Sequence, residues 1–135
     1  MPITHQRITI IHVRRPVNKD LNDDLQWFGQ SLGLFNLRDK DKSCYRIFIE
    51  ILKSAKRKEP LNSDKIADAL DLSRGTVIHH IHKLIDYGIV IPQRNTYLLR
   101  VDNLKTLIGE LRKDLRRSLD DLEEVASEID KWIGL

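Results

Sequence analysis

Cysteine and long apolar stretches are both scarce in this sequence of 135 residues. Its single cysteine, Cys44, excludes an internal disulfide framework and is typical of a reducing cytoplasm. No apolar run approaches the ~20 residues that a helix needs to cross a bilayer. Residues 1–16 also lack the charged-then-apolar layout of a secretory signal. We therefore expect a cytoplasmic protein without a membrane partner.

The motifs of common enzyme classes are missing as well. The sequence has no glycine-rich phosphate loop and no nucleophile elbow. His79, His80 and His82 are close enough together to suggest a metal site. However, the only cysteine, Cys44, lies in another predicted helix, and no paired cysteines occur. The sequence therefore predicts a protein that is not an enzyme and that holds no cofactor and no metal.

The overall composition is that of a globular protein. Hydrophobic residues make up 41% of the chain and charged residues 32%, with a formal net charge of +3. The length suits one domain with appendages. A mildly basic balance is compatible with nucleic acid, but the distribution of charge matters more than its total.

Residues 61–90 predict two short helices joined by a tight turn. Asn62 and Ser73 are the expected N-cap residues, and Gly88 is the expected end of the second helix. The apolar positions of that helix recur at helical spacing and are Val77, Ile81, Leu84 and Ile85. Two helices joined in this way form a helix-turn-helix, whose second helix enters the major groove of DNA.

The opposite face of the second helix is polar and cationic, with no acid before Asp86. Such a face suits phosphates and base edges, although a solvated face in any helical core would look similar. Ile78 is the apolar exception and suits contact with a thymine methyl group. The predicted DNA-contacting residues of this helix are Ser73, Arg74, Thr76, Ile78, His79, His82 and Lys83.

Two β-type runs follow, residues 89–93 and 96–101, around a short polar turn. This pattern predicts a hairpin. Directly after a helix-turn-helix, a hairpin is expected to be a wing that lies on the DNA backbone. Its tip, residues 93–96, is polar and short, and Arg94 and Asn95 are predicted to contact DNA. Arg94 is well suited to a phosphate or minor-groove contact. The alternative is an ordinary hairpin turn.

The run from Leu72 to Leu84, with Tyr87 to Val90 after it, resembles the recognition-helix signature of ArsR-type winged-helix transcription regulators. Leucine-serine, threonine-valine, two histidines, an aliphatic residue and a leucine occur in order, before a glycine-aliphatic-valine ending. The resemblance covers about residues 42–101. It implies a dimeric winged-helix protein that binds DNA, and it implies little about residues 1–40.

The N-terminal segment is predicted to be a strand followed by a helix. Residues 3–13 are rich in β-branched side chains and predict one strand, which needs the wing, its own copy or a partner to pair with. Residues 20–32 predict a helix that Gly33 ends. Two alternatives stay open for that helix, namely packing in the core and a place in a dimer face.

One long helix is predicted from Asn103 to about Trp132. Its apolar residues alternate in steps of four and three, as in supercoiled helix pairs, with Ser118 as the polar exception. The expected partner is the same helix of a second subunit, or the helix at residues 20–32 of either subunit. The predicted dimerisation residues are Leu104, Ile108, Leu111, Leu115, Leu122, Val125, Ile129 and Trp132. The first half of the helix is basic and the second half is acidic.

These patterns predict a mainly α fold with a small β component. The expected parts are an N-terminal strand-helix extension (1–41), a winged helix-turn-helix (42–101) and a C-terminal coiled-coil dimerisation helix (102–135). The predicted function is that of a homodimeric transcription regulator that binds specific sequences of double-stranded DNA. Its recognition helix, about 73–87, would lie in the major groove, and its wing, about 89–101, on the backbone. The alternative is a winged-helix docking module of a transcription or repair assembly, and contact between the extension and the transcription machinery is left open.

Overall fold

The computed structural model describes residues 5–18, 20–36, 38 and 40–135. Within these residues the fold is mainly helical with one small antiparallel sheet, as predicted. The elements in chain order are α1 (Leu21–Ser31), α2 (Ser43–Arg57), α3 (Ser63–Leu70), α4 (Arg74–Asp86), β1 (Val90–Gln93), β2 (Thr96–Leu99) and α5 (Leu104–Ile133). The predicted helix boundaries lie close to these.

Helix α2 forms the centre of the core. Its side chains Ile47, Phe48 and Ile51 have no exposed surface. The apolar face of α4, predicted from its spacing, is buried to the same extent and supplies Val77, Ile81 and Leu84. Burial of each such side chain stabilises the fold by about 1.5–3 kcal/mol. The packing fixes which face of α4 is left for solvent.

Helix α1 packs against α2. The rings of Phe28 and Phe48 are stacked, with their centroids 6.3 Å apart. A Cβ on Gly29 would lie 2.5 Å from a Tyr45 ring carbon, so only glycine permits this close approach. Leu21, at the start of α1, is exposed. The structure therefore places the middle and the end of α1 in the core of its own chain.

The strand predicted for residues 3–13 is wrong for its described part, residues 5–13, where no strand forms. Residues 3 and 4 lie outside the described residues. The segment instead runs between two helix ends. The amide of Arg7 donates to the carbonyl of Asp86 at 2.9 Å, and the amide of Ile11 donates to the carbonyl of Ser31 at 2.8 Å. These helix-end carbonyls satisfy backbone groups that a sheet partner would otherwise have to satisfy.

The hairpin has the predicted topology, with Val90 paired to Leu99 and Gln93 paired to Thr96. Leu61, just before α3, adds one antiparallel bridge to Tyr97. Its carbonyl accepts from the amide of Tyr97 at 2.8 Å. The bridge ties the hairpin, close to its tip, to the segment that leads into α3.

Helix α5 divides into two parts. In the first part Leu107, Leu111 and Asp114 are buried against the chain's own core. From Arg116 to the end of the chain every residue is exposed. Among the described residues, no helix is long and apolar enough to cross a membrane.

Candidate nucleic-acid interface

Local capping contacts fix the starts of α3 and α4, and a tight turn joins the two helices. The Asn62 side chain accepts from the amide of Lys65, and the hydroxyl of Ser73 accepts from the amide of Thr76 at 3.1 Å. Asp71 ends α3 in the left-handed conformation, at a φ of 55°. Asp adopts this conformation more readily than most residues. The two caps and the turn set the direction in which α4 leaves the core.

The outer face of α4 carries the residues that were predicted to contact DNA. Ser73, Arg74, His79 and His82 are exposed. Thr76, Ile78 and Lys83 are half-buried. All seven therefore keep exposed or partly exposed surface on α4 or at its N-cap.

Several of these side chains already have partners. The hydroxyl of Ser73 donates to that of Thr76 at 2.8 Å in addition to its capping bond. The guanidinium of Arg74 lies 3.6 Å from a carboxylate oxygen of Asp64, with both side chains about 70% exposed. An ion pair in water of this kind is worth at most about 1 kcal/mol. A phosphate can therefore replace Asp64 at little cost.

The C-terminal half of α4 is positioned by aromatic contacts. The rings of His79 and His80 meet edge to face, with their centroids 5.1 Å apart. The ammonium of Lys83 lies 5.6 Å from the centroid of the Tyr87 ring. Tyr87 is itself buried. His79 therefore contacts a neighbouring ring of α4, and Lys83 lies against the end of the helix.

The tip of the hairpin has an unusual backbone conformation. Arg94 and Asn95 have φ values of 47° and 67°. Two central residues with positive φ are typical of the tight turn that suits the twist of a hairpin. The hydroxyl of Thr96 donates to the carbonyl of Gln93 and closes the turn. Both tip side chains are exposed beyond the strands.

The N-terminal segment lies beside α4, which sequence reasoning missed. An open cleft of about 620 Å³ separates the two and is lined by His5, Gln6, Arg7, His79, His82, Lys83, Asp86 and Tyr87. His5 and Arg7 are exposed. Arg7 extends the cationic surface beyond α4 itself, and His5 adds a polar side chain to it. Their placement depends on contacts between residues far apart in sequence, and no local pattern signals it.

A buried carboxylate, Asp114 of α5, anchors this arrangement. It accepts from Nη1 of Arg100 at 2.6 Å, from Nε2 of Gln6 at 2.9 Å and from the guanidinium of Arg117. Burial alone would raise the pKa of the Asp114 carboxyl, but these hydrogen bonds outweigh it and lower the pKa. The same contact raises the pKa of Arg100. Asp114 thus joins the N-terminal segment, the end of the hairpin and α5.

The predicted dimerisation residues fall into two groups. Leu111 is buried in the core, and Leu104 and Ile108 are partly buried against it. Leu115 is half-buried. The residues in the second half of α5 are exposed, and these are Leu122, Val125, Ile129 and Trp132. Sequence reasoning passed over Leu107, which faces the core, and over Leu119 and Ile133, which are exposed beside the stripe.

In the part of the chain that the structure describes, no group of three or more histidine, cysteine or acidic side chains is placed to hold a metal ion. Cys44 is buried.

A helix-turn-helix whose second helix presents a polar, cationic face, followed by a two-stranded hairpin, defines a winged helix-turn-helix domain. Residues 49–91 match the family model described as bacterial regulatory protein, arsR family. The resemblance predicted from the α4 sequence is therefore confirmed for this segment. The match supports a DNA-binding transcription regulator. No curated protein and no solved structure matches the chain significantly.

Proposed function

We propose that this protein is a homodimeric transcription regulator that reads specific sequences in double-stranded DNA. In this proposal α4 enters the major groove and the hairpin lies on the adjacent backbone. The observation that carries it is the exposed outer face of α4, which has no acid before Asp86 and lies opposite a fully buried apolar face. A major groove about 12 Å wide admits a helix presented in this way.

The first turns of α4 are proposed to read base edges. His79 and Ile78 lie one turn beyond Arg74, on the side away from the core. An imidazole can exchange hydrogen bonds with base edges, and the half-buried Ile78 suits a thymine methyl group. Ser73, Thr76, His82 and Lys83 surround them and are assigned to phosphates and neighbouring bases.

The conformation of Arg94 supports a role for the hairpin. A left-handed conformation costs a residue with a Cβ roughly 1 kcal/mol relative to glycine. Asparagine and glycine are the favoured residues in such a turn, so arginine at the first tip position does not serve the turn. An exposed guanidinium held at the end of two strands suits a phosphate or a narrow minor groove. Asn95 is proposed to support it through hydrogen bonds to the backbone of DNA.

The homodimer is proposed from the second half of α5. A stripe of large apolar side chains is at least half-exposed there. Scattered single apolar residues are normal on a protein surface, whereas a continuous stripe of this kind indicates an interaction site. A second copy would cover it and would place two α4 helices on one duplex. A dimer with two-fold symmetry is expected to bind a palindromic site.

The test is selection of binding sites from a random duplex library with the wild-type chain, His79→Ala and Arg94→Ala. We expect His79→Ala to relax preference at one or two positions, a loss of about 1–3 kcal/mol of discrimination there. Arg94→Ala should weaken binding to all sites alike. It should also reduce the slope of log affinity against log salt by about one, as expected for one lost phosphate contact. Lys131→Ala, which removes a charge at the far end of α5, is the matched control. Failure of the wild-type chain to bind any duplex at low salt would overturn the proposal in favour of the docking module.

A further inference from the structure

The exposed stripe on α5 continues into a half-buried one. In the second half Leu119, Leu122 and Ile133 are among the side chains that are at least half-exposed. In the first half the strip beside the core face is half-buried, at Leu104, Ile108 and Leu115. The two halves therefore present apolar surface along the full length of the helix, although only the first half has its own domain next to it.

Starting from the proposed homodimer, we propose that the two copies of α5 pair antiparallel, with their two-fold axis between Ser118 and Leu119. The acidic second half of each α5 then covers the basic first half of the other. The occupant of the stripe is a second copy of this chain, and the arrangement of the copies is what the proposal adds.

Six of the apolar positions are symmetric about the proposed axis, whereas Val125 and Trp132 lie opposite Arg112 and Lys105. Helix α5 runs from residue 104 to residue 133, so its midpoint also lies between residues 118 and 119. In an antiparallel pair centred there, the facing residues are Leu104 with Ile133, Ile108 with Ile129, and Leu115 with Leu122. Each half-buried side chain of the first half thus meets an exposed side chain of the second half.

The charges beside the stripe favour the same orientation. Arg116, Glu123 and Asp130 are seven residues apart and share one side of the helix. Arg112 lies one turn before Arg116 on the same flank, and Lys105 lies seven residues before Arg112. In the antiparallel pair, Arg112 and Arg116 lie within a turn of the other copy's position 123, and Lys105 lies near position 130.

A parallel pair would bring together halves of like charge. The basic first halves of the two copies would lie at one level, and the acidic second halves at another. Exposed ion pairs add little stability, but juxtaposed like charges select against an arrangement. The segregation of charge along α5 therefore determines mainly whether the two helices pair antiparallel, and it adds little to the stability of the pair.

The spacing of the two domains agrees with this arrangement. Leu107 is the fully buried contact of α5 with its own domain. At ~1.5 Å per residue, the two copies of Leu107 would lie about 35 Å apart along the helices. This is close to the ~34–36 Å of one DNA turn. A parallel pair would hold these points about 8–10 Å apart, well short of one DNA turn.

Disulfide cross-linking tests the orientation. Two variants are prepared, Ile108→Cys and Ile129→Cys, and one of them carries a mass tag. Each variant is oxidised alone, and the two are also oxidised after mixing. We expect the mixture to form a tagged-untagged disulfide dimer and Ile129→Cys alone to form none, since its thiols would be about 30 Å apart. The wild-type chain, whose Cys44 is buried, is the control. Self-linking of Ile129→Cys, or a monomer at micromolar concentration by sedimentation, overturns the proposal.

A charge exchange provides an independent test in reduced protein. Glu123→Lys should raise the dissociation constant of the dimer about fivefold at low salt, because it sets a lysine against two arginines in each half of the pair. Adding Arg112→Glu and Arg116→Glu to the same chain should restore it. Glu124→Lys makes the same change on the outer side of the helix and should have little effect. If the triple variant is no tighter than Glu123→Lys, the proposed register is wrong.

Duplex binding, measured in the same preparations, separates this inference from the proposed function. A wild-type chain that binds duplex while its variants cross-link in the parallel pattern overturns the antiparallel pair alone. A chain that cross-links as expected but ignores duplex overturns the proposed function alone.

Discussion

Gly88 illustrates how one residue can hold the interface together. Its φ is +76°, and a Cβ would lie 2.3 Å from Nε2 of Gln6 and 3.2 Å from Nη1 of Arg100. The position thus needs both a left-handed backbone and close approach of two side chains. We expect Gly88→Ala to lower the free energy of unfolding by at least about 1 kcal/mol, measured by urea denaturation.

The matched control for that prediction is Gly75→Ala. Gly75 lies in the first turn of α4, and a Cβ there would meet nothing within 4 Å. Alanine is favoured over glycine in a helix by up to about 1 kcal/mol, so this variant should be as stable as the wild type or more so. Equal losses in both variants would show that the contacts of Gly88 are unimportant.

The buried Asp114 predicts a pH dependence of stability. Its pKa is lowered in the folded chain, where hydrogen bonds from Arg100, Gln6 and Arg117 outweigh the burial. A carboxyl with a lowered folded pKa contributes stability above its unfolded pKa of about 3.9, and this is lost as the pH falls through the folded value. We expect Asp114→Asn to cost roughly 2 kcal/mol at pH 7, and this cost should shrink below about pH 4.

Urea denaturation of both chains between about pH 3 and 7 measures this difference. Asp68→Asn, an exposed site on α3, serves as the control and should track the wild type. A cost for Asp114→Asn that stays constant down to the lowest pH would mean that the carboxylate charge contributes nothing.

At the scale of the element, the N-terminal segment is the largest addition to the predicted interface. It places Arg7 next to α4, where the amide of Arg7 bonds to the carbonyl of Asp86. We expect Arg7→Ala to weaken binding to all duplexes and to reduce the slope of affinity against salt by about one, as for a lost phosphate contact. Because only the backbone of Arg7 is bonded here, the fold should be unaffected.

Arg14→Ala is the matched control, because Arg14 is an exposed arginine later in the same segment. Affinities are measured by fluorescence anisotropy over a range of salt concentrations. If Arg14→Ala and Arg7→Ala weaken binding equally, the segment contributes only its net charge and not a placed contact.

The contrast between α4 and this segment explains what the sequence could predict. The caps at Asn62 and Ser73 and the spacing of the α4 core face are local sequence features. The helix positions could therefore be predicted to within a few residues. The candidate site on α4 was predicted from the same local pattern. The contact of Gln6 with Asp114 spans 108 residues of sequence and has no local signal. The predicted strand failed for the same reason, since helix-end carbonyls replaced a sheet partner.

The division of α5 shows a second limit of periodicity. A heptad repeat identifies which face of a helix is apolar, but not what covers it. Leu107 and Leu111 are covered by the chain's own domain, whereas Leu122 and Ile129 are exposed on the same helix. Because the repeat continues across Ser118 without interruption, only the folded chain reveals where the intramolecular part ends.

At the scale of the whole molecule, the proposed pair fixes the distance between two recognition helices. With about 35 Å between domains along α5, the two α4 helices should meet successive major grooves on one face of the duplex. We therefore expect two half-sites whose centres are about 10 base pairs apart. A continuous α5 would make the proposed dimer rigid along this helix, so we expect binding to depend on the helical phase of the half-sites as well as on their sequence.

Duplexes with 5 or 10 base pairs inserted between selected half-sites test this expectation. Inserting about 5 base pairs turns one half-site to the opposite face, so the affinity should fall to that of a duplex with a single half-site. Inserting about 10 restores the face but adds ~34 Å, which a rigid pair cannot span, so the affinity should stay low. Recovery with the longer insertion would indicate flexible domains, and equal affinity for all spacings would mean that each domain binds alone. Glu123→Lys, which weakens the proposed pair, should reduce the preference for the original spacing while leaving binding to the single half-site unchanged.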